Sequence, residues 1–139
     1  SKGGAAGDIY IISKWNTRDI TKGRLFKYPY AAQSSARYHL EVVSTQVQYT
    51  LINRADISSD GSRIAIGNYD HVWHYSRAPN QTIVEAFEAG SCPYEMIFPA
   101  DMACTQLEAL AFTLDGNGLY EVSEQTNCSS VGLHKTVFQ

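Results

Sequence analysis

The side chains of this sequence that could do chemistry gather at the ends of short apolar runs. Lys14 and Trp15 follow one run; Asn53, Arg54 and Asp56 open a second, and Tyr69 and Asp70 close it; Glu108 opens a third, and Glu124 closes it. If those ends share one surface, charge, aromatic area and hydrogen-bonding groups meet there, which is the composition of a binding site. Glu108 and Glu124 are of the type that forms an acid–base pair, and with Asp56 they could bind a metal or activate water, as in a hydrolase or lactonase. The structural alternative uses the same residues. Arg54 has Asp56, Glu108 and Glu124 as candidate ion-pair partners, and Trp15 and Tyr69 suit packing rims as well as ligand platforms.

Other residues carry less. His71 and His74 would point to opposite faces of a strand and so would not chelate one ion together. His39 and His134 stand in no nucleophile-elbow context. The stretch Asp56-Ile57-Ser58-Ser59-Asp60-Gly61 lacks the ligand pattern and terminal Glu of a helical calcium loop. The three cysteines match no zinc spacing. Cys92 and Cys104 bracket a Pro-containing stretch that a local disulfide would close, leaving Cys128 for a partner chain; three buried thiols are the alternative. Asn80-Gln81-Thr82 and Asn127-Cys128-Ser129 fit the N-glycosylation acceptor pattern and point toward the secretory route. A net charge of -3 gives no broad basic surface for nucleic acid. No window approaches the roughly 18 apolar residues of a membrane span. The start at Ser1, without Met, is expected to be a processed or cut end.

The elements that would position these residues repeat. Asp60-Gly61 aligns with Asp115-Gly116 at a spacing of 55, and the same step back from Ile64-Ala65-Ile66 lands on Ile9-Tyr10-Ile11. The two later copies read as apolar strand, Asp-Gly turn, apolar strand, the signature of a hairpin. Their strands are apolar on both faces, as in sheets covered on both sides. Further strands are expected at Arg24 to Tyr28, His39 to Val47, His71 to Tyr75, Tyr94 to Phe98 and Leu133 to Phe138. One short helix is expected over 83–89, with Thr82 as N-cap, Glu85 completing a capping box and Gly90 as the stop; an outer strand is the alternative. About four strands per repeat make a β-propeller blade, so the expected fold is all-β, with about two and a half to three blades of a partial propeller. Residues 1–139 then form a single propeller segment, with blades near 7–48, 51–99 and 107–139.

The run from Arg54 to Ile66, followed by Asn68-Tyr69-Asp70 and Trp73, resembles the C-terminal blades of secreted bacterial propeller proteins of the TolB-like and six-bladed groups. Glu108 to Phe112, Asp115-Gly116 and Leu119 to Glu124 are similar to the blade that follows, and Gly7 to Lys14 to the one before. The resemblance implies a fold and no particular activity. It also implies that further blades complete the ring: another fragment of the same precursor is the expected source, and a second copy in a symmetric assembly or a portion removed by truncation are the alternatives.

In a blade the first strand starts, and the second ends, on one face of the disc. Lys14, Trp15, Arg54, Asp56, Tyr69, Asp70, Glu108 and Glu124 are therefore the expected ligand-binding rim. The expected protein is an extracellular, non-catalytic binding or scaffold protein without a cofactor, holding a glycan, peptide or protein partner. A carboxylate-lined hydrolase and a self-assembling structural component are the alternatives.

Overall fold

The computed structural model describes residues 7–14, 23–35, 37–47, 51–69, 71–90, 92–94, 105–125 and 133–138. Among these the chain is mostly β-structure: ten strands in three antiparallel sheets, and one short α-helix. It divides into two compact units, Ser1–Ile52 with Arg77–Gly90, and Asn53–Ser76 with Ser91–Gln139.

The first unit holds a three-stranded sheet of β1 (Ile9–Ile12), β2 (Gly23–Tyr28) and β3 (Glu41–Val47), with β2 in the middle. Asp8 ties the end of its first hairpin: one carboxylate oxygen accepts the Tyr30 N–H at 2.8 Å and the other meets Lys27 Nζ at 2.8 Å. The helix α1 (Ile83–Glu88) lies against β3. It forms where the capping box was expected: the Thr82 hydroxyl accepts the Glu85 N–H at 3.1 Å, and the Glu85 carboxylate accepts the Thr82 N–H at 2.7 Å. Ile83, Ala86 and Phe87, spaced to share one helix face, are buried, and Gly90 ends the helix at φ +92°.

The second unit holds two sheets. One is a four-stranded meander of β4 (Arg54–Ile57), β5 (Arg63–Gly67), β6 (Val72–Ser76) and β7 (Cys92–Tyr94); the other is a meander of β8 (Thr105–Phe112), β9 (Gly118–Gln125) and β10 (Leu133–Val137). The outermost strand of the four-stranded sheet starts at Cys92, two residues earlier than expected, and 95–98 lie outside the described residues. Both predicted Asp-Gly turns are present, with Gly61 at φ +70° and Gly116 at φ +69°.

Residues directly opposite one another in an antiparallel pair share a face. The rungs Arg54/Gly67/Val72 and Asp56/Ala65/His74 therefore face one way, and Ala55/Ile66/Trp73 and Ile57/Ile64/Tyr75 the other. In the next sheet, Leu110/Glu121/His134 and Phe112/Leu119/Thr136 share one face, and Ala109/Val122/Leu133 and Ala111/Tyr120/Lys135 the other. Ala65 and Val72 pack with Leu110 and Leu119, and Phe112 and Phe138 extend that cluster. The β5 strand buries side chains on both faces, as expected. The sheet of β8, β9 and β10 departs from that expectation: Ala109, Ala111, Tyr120, Leu133 and Val137 are exposed on its second face.

Candidate functional site

Arg54 opens β4, where its strand position turns it toward the sheet of β8 and β9 rather than to water. It is buried, at 4% exposure, and its Nε lies 3.2 Å from Oε1 of Glu121, itself 1% exposed. Nη1 donates to the Leu107 carbonyl at 3.0 Å, to Asn53 Oδ1 at 3.2 Å and to the Asn68 carbonyl. Asn53 Nδ2 donates to the same Leu107 carbonyl at 2.6 Å. That carbonyl is available because β8 bulges at Glu108: Leu107 pairs with Ser123 and Ala109 with Val122, leaving Glu108 as the extra residue.

Gly67 makes room for the guanidinium. A Cβ at Gly67 would stand 2.8 Å from Arg54 Nε and 2.9 Å from Cζ, so only glycine allows the side chain to cross β5 at this rung. Asp56, two residues along the same face, accepts the Phe112 N–H at 2.7 Å and so ties β4 directly to β8. Nearer the turns, Arg63 donates to the Gly116 carbonyl at 2.8 Å and Ser59 to the Leu114 carbonyl at 3.2 Å.

Burial raises the Glu121 carboxyl above the usual carboxylate range, and the neighbouring Arg54 cation only partly opposes the rise. His74 is displaced by the same cause: burial, seconded by the Arg63 charge, lowers its basicity. Its ring sits 5.2 Å from that of Phe138 and 6.2 Å from that of Phe112, with Nε2 buried and without a hydrogen-bond partner among the described residues.

No protein-family model matches the chain, and no curated protein is similar to it.

Of the expected rim, Arg54 and Asp56 come together, and both are engaged in joining β4 to β8. Arg54 pairs with Glu121, which was not among its candidate ion-pair partners. Tyr69 is half-buried just after β5, Glu108 is half-buried at the bulge, and Glu124 lies near the end of β9 opposite Gln106. Lys14 is exposed in the first unit. Trp15 and Asp70 lie outside the described residues, as do Cys104, Cys128 and Asn127; of Cys92 only the strand position is described. Asn80 is exposed in the turn ahead of α1. His71 stacks on Trp73 at 5.7 Å, away from the face that His74 shares with Asp56. Among the described residues, no three His, Cys, Asp or Glu side chains cluster to hold a metal ion, and no helix is long and apolar enough to cross a membrane.

Glu121, Asn68 and Gly67 are the site residues that residue types alone did not single out. The signal for Glu121 was alternation: it falls two positions after Leu119, on the face that Leu119 buries.

Proposed function

We propose that the three sheets are successive blades of a β-propeller, and that the chain is an extracellular, non-catalytic binding or scaffold segment of it. The observation that carries this reading is the Arg54–Glu121 joint. Arg54 of the expected rim is locked between two neighbouring sheets, together with Asp56, in contacts that fix one sheet on the next. Such groups stiffen a platform rather than turn over a substrate.

The repeat supports the architecture. Strands β4 and β5 match β8 and β9 at the 55-residue step, and β1 matches β5 at the same step. The strands that follow them, β2, β6 and β10, then correspond in turn: Leu25, Val72 and Leu133 take one position, and Tyr28, Tyr75 and Thr136 another. The TolB-like and six-bladed resemblance accords with this spacing. Propellers typically have about four to eight blades, so further blades complete the ring, from another chain or a second copy. The exposed Asn80 sequon supports secretion, and a disulfide between Cys92 and Cys104 would suit the same compartment.

In this reading, a glycan, peptide or protein ligand meets the rim residues Tyr69 and Glu108 of the second unit. The test is retention of the immobilised chain on a glycan array and on secreted-protein extracts, compared with a Tyr69→Ala, Glu108→Ala double variant. Retention that the double variant abolishes, at unchanged thermal midpoint, supports a ligand rim. Retention indifferent to those residues, or none at all, sinks it.

A further inference from the structure

Within the second unit, one sheet-to-sheet interface is fully formed. The face carrying Arg54, Asp56, Ala65, Gly67 and Val72 packs on the face carrying Leu110, Phe112, Leu119 and Glu121. The 55-residue step carries each half of that interface to a position where it is exposed. Forward by 55, Arg54, Asp56, Ala65 and Gly67 become Ala109, Ala111, Tyr120 and Val122. The same rungs continue to Leu133 and its neighbour Val137, which are 68% and 58% exposed. Back by two steps through the repeat, Leu119 and Glu121 become Ile64 and Ile66, and then Ile9 and Ile11, which are 46% and 42% exposed. Val42, on the rung of Ile11 and Phe26, is exposed as well.

The chain therefore presents both halves of an interface it already builds once, and each half is mainly apolar. The substitutions at the joint are matched. Ala109 stands where Arg54 stands, and Ile11 where Glu121 stands, so at these two joint positions docking would bury neither an unpaired cation nor an unpaired carboxylate, which would otherwise oppose association; Arg24, opposite Ser13 at the end of the Ile11/Phe26 face, is the cation on that side. Lys135, on the first of the two faces, keeps its ammonium over the Tyr120 ring at 5.6 Å, so its stem can cover apolar surface.

We propose that a second copy of this chain docks its Ile9/Ile11 face on the Tyr120/Leu133/Val137 face of the first, repeating the interface between the sheets of β4 and β8. The inference rests on the reading of the sheets as successive blades. Because the two faces differ, the contact is heterologous, and such contacts either close into a ring or run on as a filament. Two copies of three sheets make six, within the range of about four to eight blades that propellers use, so a closed pair is the expected assembly.

The test is native mass measurement of the 139-residue chain over a range of concentrations, with two variants. The unaltered chain is expected at twice its 15.4 kDa. Leu133→Asp with Val137→Asp breaks one face, and Ile9→Asp with Ile11→Asp breaks the other. Since the altered side chains are exposed, each variant should keep its circular dichroism while its pairing weakens by at least about a hundredfold. Mixing the two variants restores one intact contact, so a mixed pair should form where neither variant pairs alone.

A monomer at every concentration overturns the second copy and leaves the propeller reading standing. A pair that survives both variants, or a mixture that fails to pair, overturns the docked faces, whereas an open ladder of larger species that the variants abolish keeps those faces and overturns the closed pair. A pair that obeys the variants but images as stacked sandwiches instead of a six-sheet ring supports the docked faces and removes the propeller reading.

Discussion

Ser58 and Thr113, 55 positions apart, hold the same bond: each hydroxyl donates to the aspartate two residues ahead, at 2.7 Å to Asp60 and 2.6 Å to Asp115. The backbone turns match as well. Gly61 N–H meets the Ser58 carbonyl at 2.7 Å, and Gly116 N–H meets the Thr113 carbonyl at 2.8 Å. The Ser58 hydroxyl, with the Ser62 donors, pulls the Asp60 carboxyl down to about 2, and the Thr113 hydroxyl, with the Asn117 N–H, lowers Asp115 in the same way.

Lowered carboxyls stabilise the fold above their ordinary range and lose that contribution as pH falls through the folded value. Asp60→Ala and Asp115→Ala should each lower the thermal midpoint at pH 7. The gap from the unaltered chain should close for Asp60 as the pH approaches 2, and for Asp115 as the pH falls below the ordinary carboxyl range. Melts at both pH values check this, and a gap independent of pH would refute the role given to the two carboxylates.

Truncating Arg54 leaves Glu121 buried without its partner. Arg54→Ala should destabilise by about 3–5 kcal/mol in denaturant titrations. The loss should be smallest at acid pH, where Glu121 is protonated with or without Arg54, and should grow as pH rises through the raised folded value of Glu121, above the ordinary carboxyl range. Adding Glu121→Ile, the residue found at Ile66 and Ile11 in the other copies, should recover most of the loss. A double variant no better than the single would mean that the joint acts through shape and not charge.

Gly67→Ala puts a methyl group against the Arg54 guanidinium. The expected cost is about 1–3 kcal/mol, typical of overpacking. The same change combined with Arg54→Ala should cost markedly less than the two separately, a coupling that a double-mutant cycle reads directly.

His74 sits among Phe112 and Phe138 beside the Arg63 charge, with its rung-mate Asp56 bonded to the Phe112 N–H. Its folded basicity is lowered, so below about pH 6.5 the unfolded chain binds a proton that the folded one resists, and stability falls. His74→Phe should remove that slope between pH 6.5 and the folded value. Parallel slopes in the variant and the unaltered chain would assign the acid sensitivity elsewhere.

Local signals were legible in the sequence because their physics is local. The capping box at Thr82 and Glu85 and the two Asp-Gly turns involve atoms within a few residues, and the strands flanking them fall where alternation and β-branched residues put them. The start of β7 was not legible, because Cys92–Tyr94 takes its place from pairing with Val72 to His74, across the whole of α1. Nor was the partner of Arg54. Asp56, Glu108 and Glu124 were the candidates on charge alone, and the pairing with Glu121 depends on the bulge at Glu108 and the bare backbone of Gly67, which only the packed sheets reveal.

A strand that is apolar on both sides cannot tell its own inside from outside. Ile64, Ala65, Ile66 and Gly67 would be buried almost equally well after a slip of one residue, so hydrophobicity leaves the alignment of β5 degenerate. What breaks the degeneracy is polar: the gap at Gly67 that admits one guanidinium, and the Asp-Gly loop that counts the residues between β4 and β5. In this protein a handful of hydrogen-bonding groups serve as the ruler against which the oily part of the chain is measured.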